Sequence, residues 1–322
     1  MADCSKPEKK KKAGPIPQEQ VVLEPPERLK AVIRLIRMAQ RRLLISMFRC
    51  KEKAVLEELA AALRRKVQVH ALVTPRAKGG KLRLNELGAL LEGMGAKVMR
   101  YPDQVVKYHA KYMVVDDGPG MVASLNFTKK CFRRTSDFLQ ITYDPAVVSG
   151  LIRLFESDCS RVQTLLPPDL SERLIVGPDR ARVQITDFLQ SARRRIRILD
   201  PKVTDADVLM LLEAKRADGV EVQINQKREL GSLTSHGKLI LVDDSAALFG
   251  SISLCTLSLD FRRELAIKVQ DPYCVEQLVG YFDFLANGGP PAPEGPAQEV
   301  EPQDSRKKTI RKDVGKKKEK RS

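Results

Sequence analysis

Two stretches of the chain repeat one another in register. Tyr108-His109-Ala110-Lys111-Tyr112-Met113-Val114-Val115-Asp116 recurs as Ser235-His236-Gly237-Lys238-Leu239-Ile240-Leu241-Val242-Asp243. The offset of 127 that carries His109 to His236 also carries Lys111 to Lys238, Asp116 to Asp243, Ser124 to Ser251, Asn126 to Ser253 and Asp137 to Glu264. It continues through Asp144-Pro145 to Asp271-Pro272 and from Phe155 to Phe282. Upstream the offset is 153, taking Ile45 to Ile198 and Val67 to Val220, so the second copy is 26 residues shorter. Agreement over this length marks a duplicated unit, which restricts the chain to folds built from two related halves.

Hydrophobic spacing gives the unit its character. Leu29, Val32, Ile33 and Ile36 follow helical spacing after Pro25-Pro26-Glu27. Arg42 to Phe48 reads as a strand, Glu52 to Leu63 as a helix, Val67 to Val73 as a strand, Leu82 to Leu91 as a helix and Ala96 to Arg100 as a strand. The His109 stretch reads as a further strand, with a turn at Asp117-Gly118-Pro119-Gly120 and a short strand from Met121. Asp144-Pro145 supplies an N-cap and a first-turn proline for a helix through Phe155. The second half repeats the order, with helices over Arg180 to Ala192 and Ala206 to Arg216 and strands over Arg195 to Leu199 and Val220 to Ile224. The 26 residues missing from it correspond to the helix and strand near 74 to 100.

The expected fold class is therefore α/β: a duplicated unit, two mixed sheets flanked by helices about a pseudo-twofold axis, with the active site at their interface. The expected boundaries are a basic tail over 1–20, a first repeat over 21–170, a second over 171–286 and a Pro/Lys-rich tail over 287–322. Lys9 to Lys12 and Lys316 to Lys318 mark the tails, which solubilise the chain or dock it on a polyanion.

The net charge of +16 directs attention to anionic partners: nucleic acid, an anionic membrane surface or a phosphorylated substrate. Six scattered cysteines without a CxxC pair read as reduced thiols, not as a disulfide framework or a zinc site. No signal peptide or membrane-length apolar run is evident. The expected location is cytoplasmic, compatible with peripheral contact at an inner membrane face.

On a continuous strand His109 and Lys111 project side by side, as do His236 and Lys238. A nucleophile or proton shuttle beside a fixed positive charge suits a phosphate. Asp116 and Asp243, seven residues beyond each histidine, fall on the opposite strand face. They are expected to orient or charge-tune an imidazole from the strand end, without touching phosphate. Asp137 and Glu264 read as carboxylates that orient a catalytic histidine, with ordinary surface carboxylates as the alternative. His70 reads as an ordinary strand residue, and Lys78-Gly79-Gly80-Lys81 as a basic loop without P-loop spacing. Arg133-Arg134 and Arg262-Arg263 read as solvated charges or secondary anion contacts.

His-x-Lys-x4-Asp, present as His109/Lys111/Asp116 and His236/Lys238/Asp243, resembles the signature of the phospholipase D superfamily. Ser124-Leu125-Asn126 resembles the family's Gly-Ser-x-Asn segment with Ala123 in the glycine position, and Gly250-Ser251-Ile252-Ser253 keeps the glycine but has serine for asparagine. Asp137 and Glu264 occupy the acidic positions that follow. The resemblance covers about residues 25 to 285. It implies phosphodiester chemistry with no metal and no cofactor. One histidine, commonly that of the first motif and so His109, forms a phosphohistidine. The other, His236, serves as acid and then base. Lys111, Lys238, Ser124, Asn126, Ser251 and Ser253 are then expected to hold the phosphoryl oxygens.

For substrate, the resemblance to phospholipases D and cardiolipin synthases favours a phospholipid over nucleic acid. A nuclease or end-processing enzyme is the alternative, although base-stacking platforms are sparse in a chain with no tryptophan and 5% aromatic residues. A non-catalytic binding protein is disfavoured by two complete motifs.

Overall fold

The apolar runs Leu43–Met47 and Val69–Val73 lie side by side as parallel strands, buried on both faces as such runs require. In this computed structural model, which describes residues 19–74, 81–103, 106–160 and 166–291, they occupy the middle of the first half. Most of both expected tails and Lys78-Gly79-Gly80 lie outside the described residues.

The first half begins β1 (Glu19–Val22), α1 (Pro25–Met38), β2 (Arg42–Met47), α2 (Lys53–Arg64), β3 (Gln68–Val73), α3 (Lys81–Gly93) and β4 (Lys97–Arg100). It goes on through β5 (Lys107–Tyr108), β6 (Tyr112–Val115), β7 (Gly120–Ala123), α4 (Lys129–Arg133), β8 (Thr135–Ser136), β9 (Leu139–Thr142) and α5 (Pro145–Cys159). The second half has β10 (Leu174–Val176), α6 (Ala181–Gln190), β11 (Arg195–Leu199), α7 (Ala206–Ala217), β12 (Glu221–Asn225), β13 (Glu229–Leu230) and β14 (Leu233–Ser235). It closes with β15 (Lys238–Val242), β16 (Ala246–Gly250), α8 (Thr256–Asp260), β17 (Arg262–Arg263), β18 (Leu265–Val269) and α9 (Pro272–Ala286). The N-caps of α5 and α9 match across the duplication: Asp144 accepts from Ala146 N–H at 2.9 Å, and Asp271 from Cys274 N–H at 2.9 Å. Glu19 and Gln20, expected in the basic tail, instead pair in β1 with Thr142 and Ile141.

The fold is α/β, with mixed sheets in both halves. The first sheet runs β1-β9-β7-β6-β2-β3-β4 and the second β10-β18-β16-β15-β11-β12. The orders correspond strand for strand until β4, whose counterpart is the one missing from the second sheet. That is the strand the 26-residue shortfall had removed.

Helices α1 and α2 cover the outer face of the first sheet, and α6 and α7 that of the second. Between the sheets, Leu151, Leu154 and Phe155 of α5 join Leu278, Tyr281 and Phe282 of α9 in one apolar core. Each of these large side chains contributes roughly 1.5–3 kcal/mol by leaving water, so the inner faces hold the two halves together. No helix among the described residues is long and apolar enough to cross a membrane.

Candidate active site

The His109 stretch is not the continuous strand its alternation predicts. β5 ends at Tyr108 and β6 starts at Tyr112, leaving His109, Ala110 and Lys111 in a break. The break arises because the chain changes partners: β6 pairs within its own sheet, while β5 pairs with β17 of the other half. The second copy does the same. β14 pairs with β8 of the first half, β15 rejoins its own sheet, and His236 and Gly237 fall between them. Backbone bonds fix both crossings, from His109 N–H to the Arg263 carbonyl at 2.8 Å and from Gly237 N–H to the Ser136 carbonyl at 2.6 Å.

Each crossing strand delivers a carboxylate to the opposite histidine. Glu264 follows β17, and its Oε1 lies 2.7 Å from His109 Nδ1. Asp137 follows β8, and its Oδ1 lies 2.9 Å from His236 Nδ1. Glu264 and Asp137 are fully buried, whereas the imidazoles keep 18% and 28% of their side-chain surface. Each of the two carboxylates singled out in the sequence lies against a histidine ring nitrogen. The exchange between copies could not be read from one dimension.

The two sets form one electrostatic site. His109 is held well below its usual pKa, first by burial and then by Lys111, Lys238, Lys107 and Arg262. Burial raises its partner Glu264. Around Asp137 the balance is opposite: burial opposes the carboxylate, but His236, Arg28 and Ser124 outweigh it and bring the group to about 2. Lys111 is buried and drops to about 7, chiefly by desolvation, with Glu264 opposing the fall and Lys238 adding to it. Each lysine folds back on its own motif, Lys111 Nζ donating to the His109 carbonyl at 2.6 Å and Lys238 Nζ to the His236 carbonyl at 2.5 Å.

Several expected phosphate contacts are committed elsewhere. Ser124 Oγ donates to Asp137 at 2.6 Å and accepts from Phe138 N–H at 2.9 Å. Ser251 Oγ accepts from Leu265 N–H at 3.1 Å. Ser253 Oγ lies 2.8 and 2.9 Å from the two oxygens of Asp200. These buried serines brace the strands and loops around the carboxylates. Asn126 differs, because its Oδ1 is buried without a partner.

Asp116 and Asp243 do not orient an imidazole. Both have positive φ, +51° and +53°, a conformation that Asp tolerates better than most residues. Asp116 accepts from the backbone N–H groups of Gln40, Arg41 and Arg42 at 3.1, 2.8 and 2.9 Å. Asp243 does the same for Arg193, Arg194 and Arg195 at 2.9, 2.7 and 2.8 Å. Each aspartate thus ties the turn before β2 or β11 to the far end of the motif strand. The seven-residue offset had put them on the opposite face, and the turn carries them away from the histidines altogether.

Sequence reasoning missed several supporting residues. Phe48 meets the His109 ring edge-on, with centroids 4.6 Å apart. Arg28, fully buried on α1, donates to the Thr135 carbonyl at 2.6 Å beside Asp137; a lone arginine on an apolar helix face was its only signal. Ser258 bonds Glu264, and Cys131 holds the matching place in the first copy. Among the described residues, Cys131, Asp137 and His236 present ligand atoms within 4.8 Å of one another and form a group that could hold a metal. Asp137 and His236 already satisfy each other, however, and burial raises the Cys131 thiol. A cation would have to displace that bond and deprotonate the thiol.

Residues 32–159 match the family described as cardiolipin synthase, PLD-like domain. No curated protein matches the chain. Among solved structures, polyphosphate kinase from Porphyromonas gingivalis is similar over 84% of this chain and 47% of its own, with TM-score 0.69 and 18% identity. The chain thus spans about half the length of that kinase. Phosphatidylserine synthase from Haemophilus influenzae is similar over 84% of this chain and 86% of its own, with TM-score 0.65 and 14% identity. Nuc from Salmonella typhimurium, a phospholipase D family member, aligns over 44% of this chain and 93% of its own, with TM-score 0.39 and 19% identity. At these identities the structural likeness is one of fold. The family match covers the first copy, and the motif within it recurs in the second, which supports the phospholipase D superfamily as the one this chain resembles.

Proposed function

We propose that the chain is a metal-independent phosphodiesterase that works through a phosphohistidine and acts on phospholipid headgroups, by hydrolysis or by phosphatidyl transfer. In this reading residues 21–170 and 171–286 are the two repeats. The observation that carries the proposal is the reciprocal pairing of His109 with Glu264 and of His236 with Asp137, on one electrostatic site with two lysines.

A carboxylate at Nδ1 favours the tautomer with the proton on that nitrogen, leaving the Nε2 lone pair for chemistry. Burial and four nearby cations favour the neutral form of His109, which suits a nucleophile. Its Nε2 attacks phosphorus, forming the P–N bond as the P–O bond to the leaving alcohol breaks. His236, whose Nδ1 lies 2.9 Å from Asp137, gives a proton to the leaving oxygen. His236 then takes a proton from water or an acceptor alcohol, whose oxygen attacks phosphorus and releases His109. The ammonium groups of Lys111 and Lys238 and the amide nitrogen of Asn126 are proposed to hold the phosphoryl oxygens, fixed donors of a kind worth about 3 kcal/mol of barrier each.

The lipid preference draws on the description of the matched family. The test is turnover, in EDTA, of phosphatidyl lipids in mixed micelles against single- and double-stranded DNA. Lipid turnover with an acid-labile phosphoenzyme that disappears in His109→Ala is expected. Turnover of DNA alone transfers the reading to a nuclease, and loss of activity in EDTA ends the metal-free mechanism.

A further inference from the structure

The two strand crossings occupy equivalent places in the duplication, but they carry different residues. Beside His109, Arg262 is paired in register with Lys107; beside His236, the matching pair is Thr135 with Thr234. One crossing holds two cations and the other two hydroxyls. Arg49 and Lys202, matched by the 153 offset, lie just beyond β2 and β11 and are exposed. Lys107 is half-buried, and its pKa is lowered first by burial and then by Arg262, Arg49 and Lys202. Glu264 is the carboxylate that acts on this group, but its oxygens already serve His109 and Ser258, and Arg262 approaches it only to 3.8 Å. Arg262 Nε is buried without a hydrogen-bond partner. Among the described residues, Arg49, Lys107 and Lys202 form no ion pair.

Arg49 and Lys107 share the Phe48 ring, 5.2 and 5.1 Å from its centroid, and Arg262 is paired in register with Lys107; a group of cations whose nearest carboxylate contact is 3.8 Å suits an anion. We propose that Arg49, Lys107, Lys202 and Arg262 form a second anion subsite, on the His109 side, for a further phosphate carried by the substrate. The inference rests on the phosphodiesterase reading and narrows its substrate class to diesters with another phosphate one short linker away. Leu257 and Phe261, one helical turn apart, are exposed beside Arg262, where the first copy has Lys130 and Arg134. An apolar pair next to cations suits a lipid interface, so the second phosphate is assigned to a phospholipid headgroup, with an oligonucleotide as the competing source.

The test uses the full chain in EDTA and two small chromogenic substrates: a nitrophenyl diester of propanediol, and the same diester phosphorylated on its free hydroxyl. The phosphorylated substrate should have a KM about tenfold lower, the effect of one strong charge-assisted contact. In Lys107→Thr/Arg262→Thr, which gives this crossing the residues of its counterpart, the KM ratio should collapse toward one. In Arg49→Gln/Lys202→Gln, where both side chains are exposed, it should fall severalfold. A wild-type ratio near one, or a ratio unchanged in both variants, overturns the subsite and leaves the phosphodiesterase reading standing. If neither diester turns over, that reading fails, and calorimetry with pyrophosphate and inorganic phosphate decides the subsite: the same preference in wild type and in Lys107→Thr/Arg262→Thr overturns it. Phosphatidic acid micelles should compete with the phosphorylated diester better than a 5′-phosphorylated dinucleotide does; the reverse order overturns the lipid assignment.

Discussion

Glu264 Oε1 stands 2.7 Å from His109 Nδ1 although 155 residues separate the two in sequence. The carboxylate directly follows β17, the strand that pairs with β5 immediately before the histidine. Backbone pairing and side-chain pairing therefore share one short segment, and any shift of β17 moves the carboxylate with it.

Replacement of Glu264 by Gln should lower kcat by about 10²–10³-fold with KM little changed, because the imidazole loses its charged orienting partner in the transition state. The isosteric change keeps the buried volume. Steady-state kinetics together with a thermal melt within a few degrees of wild type separate this from unfolding.

Gly237→Ala should cripple the second motif although the first has alanine at the matching Ala110. A Cβ at Gly237 would meet Phe138 at 2.6 Å and the Ser136 carbonyl at 2.7 Å, the two residues flanking Asp137. Relief requires moving the strand that positions Asp137, at a cost of about 1–3 kcal/mol. Denaturant unfolding and activity should fall together, and a Gly237→Ala protein with wild-type kcat would contradict the packing.

Lys111 supplies a pH dependence. Its ammonium, lowered to about 7 chiefly by burial, is charged below that pH and neutral above it. Inhibition by sulfate, whose charge is constant in this range, should weaken as pH rises through 7, and Lys111→Met should flatten the curve. Thermal stability is the wrong readout. A depressed lysine contributes stability that is lost as pH falls through about 7. Asp158, raised to about 7 by burial with Arg263 opposing, contributes stability that is lost as pH rises through the same value.

Asp116→Ala should destabilise the fold and leave the chemistry largely intact. Three backbone donors lose their acceptor, and alanine tolerates φ of +51° poorly, a loss of about 1–3 kcal/mol. Chemical denaturation should report the loss, with kcat at a temperature well below the melt within about threefold of wild type. A fall in kcat comparable to that of His109→Ala would return Asp116 to the catalytic machinery.

What the sequence made legible were features with a period or an offset. β11 spans Arg195–Leu199 as predicted, and Asp144 caps α5 as its position before proline implies. The missing counterpart of β4 was visible as a difference between two offsets. The misses have a common cause. β5, β8 and β17 are two residues each, too short to carry alternation, and they pair with strands 155 (β5 with β17) and 99 (β8 with β14) positions away. Their partner switching breaks the motif strand and exchanges Asp137 and Glu264 between the histidines. Asp116 and Asp243 were misplaced because strand alternation stops at a residue with positive φ.

The departures between copies are as informative as their agreement. Ala110 stands against Gly237, Lys107 and Arg262 against Thr234 and Thr135, Cys131 against Ser258, and β4 against no strand. In a dimer of two identical chains, every substitution at such a shared cleft appears on both sides at once. Joining the halves in one polypeptide removes that constraint, because a gene encoding both can alter one side while the other keeps its residue. The tandem arrangement thus provides independent inheritance for the two walls of one cleft, so the wall beside His109 can become basic without imposing the same charge on the wall beside His236.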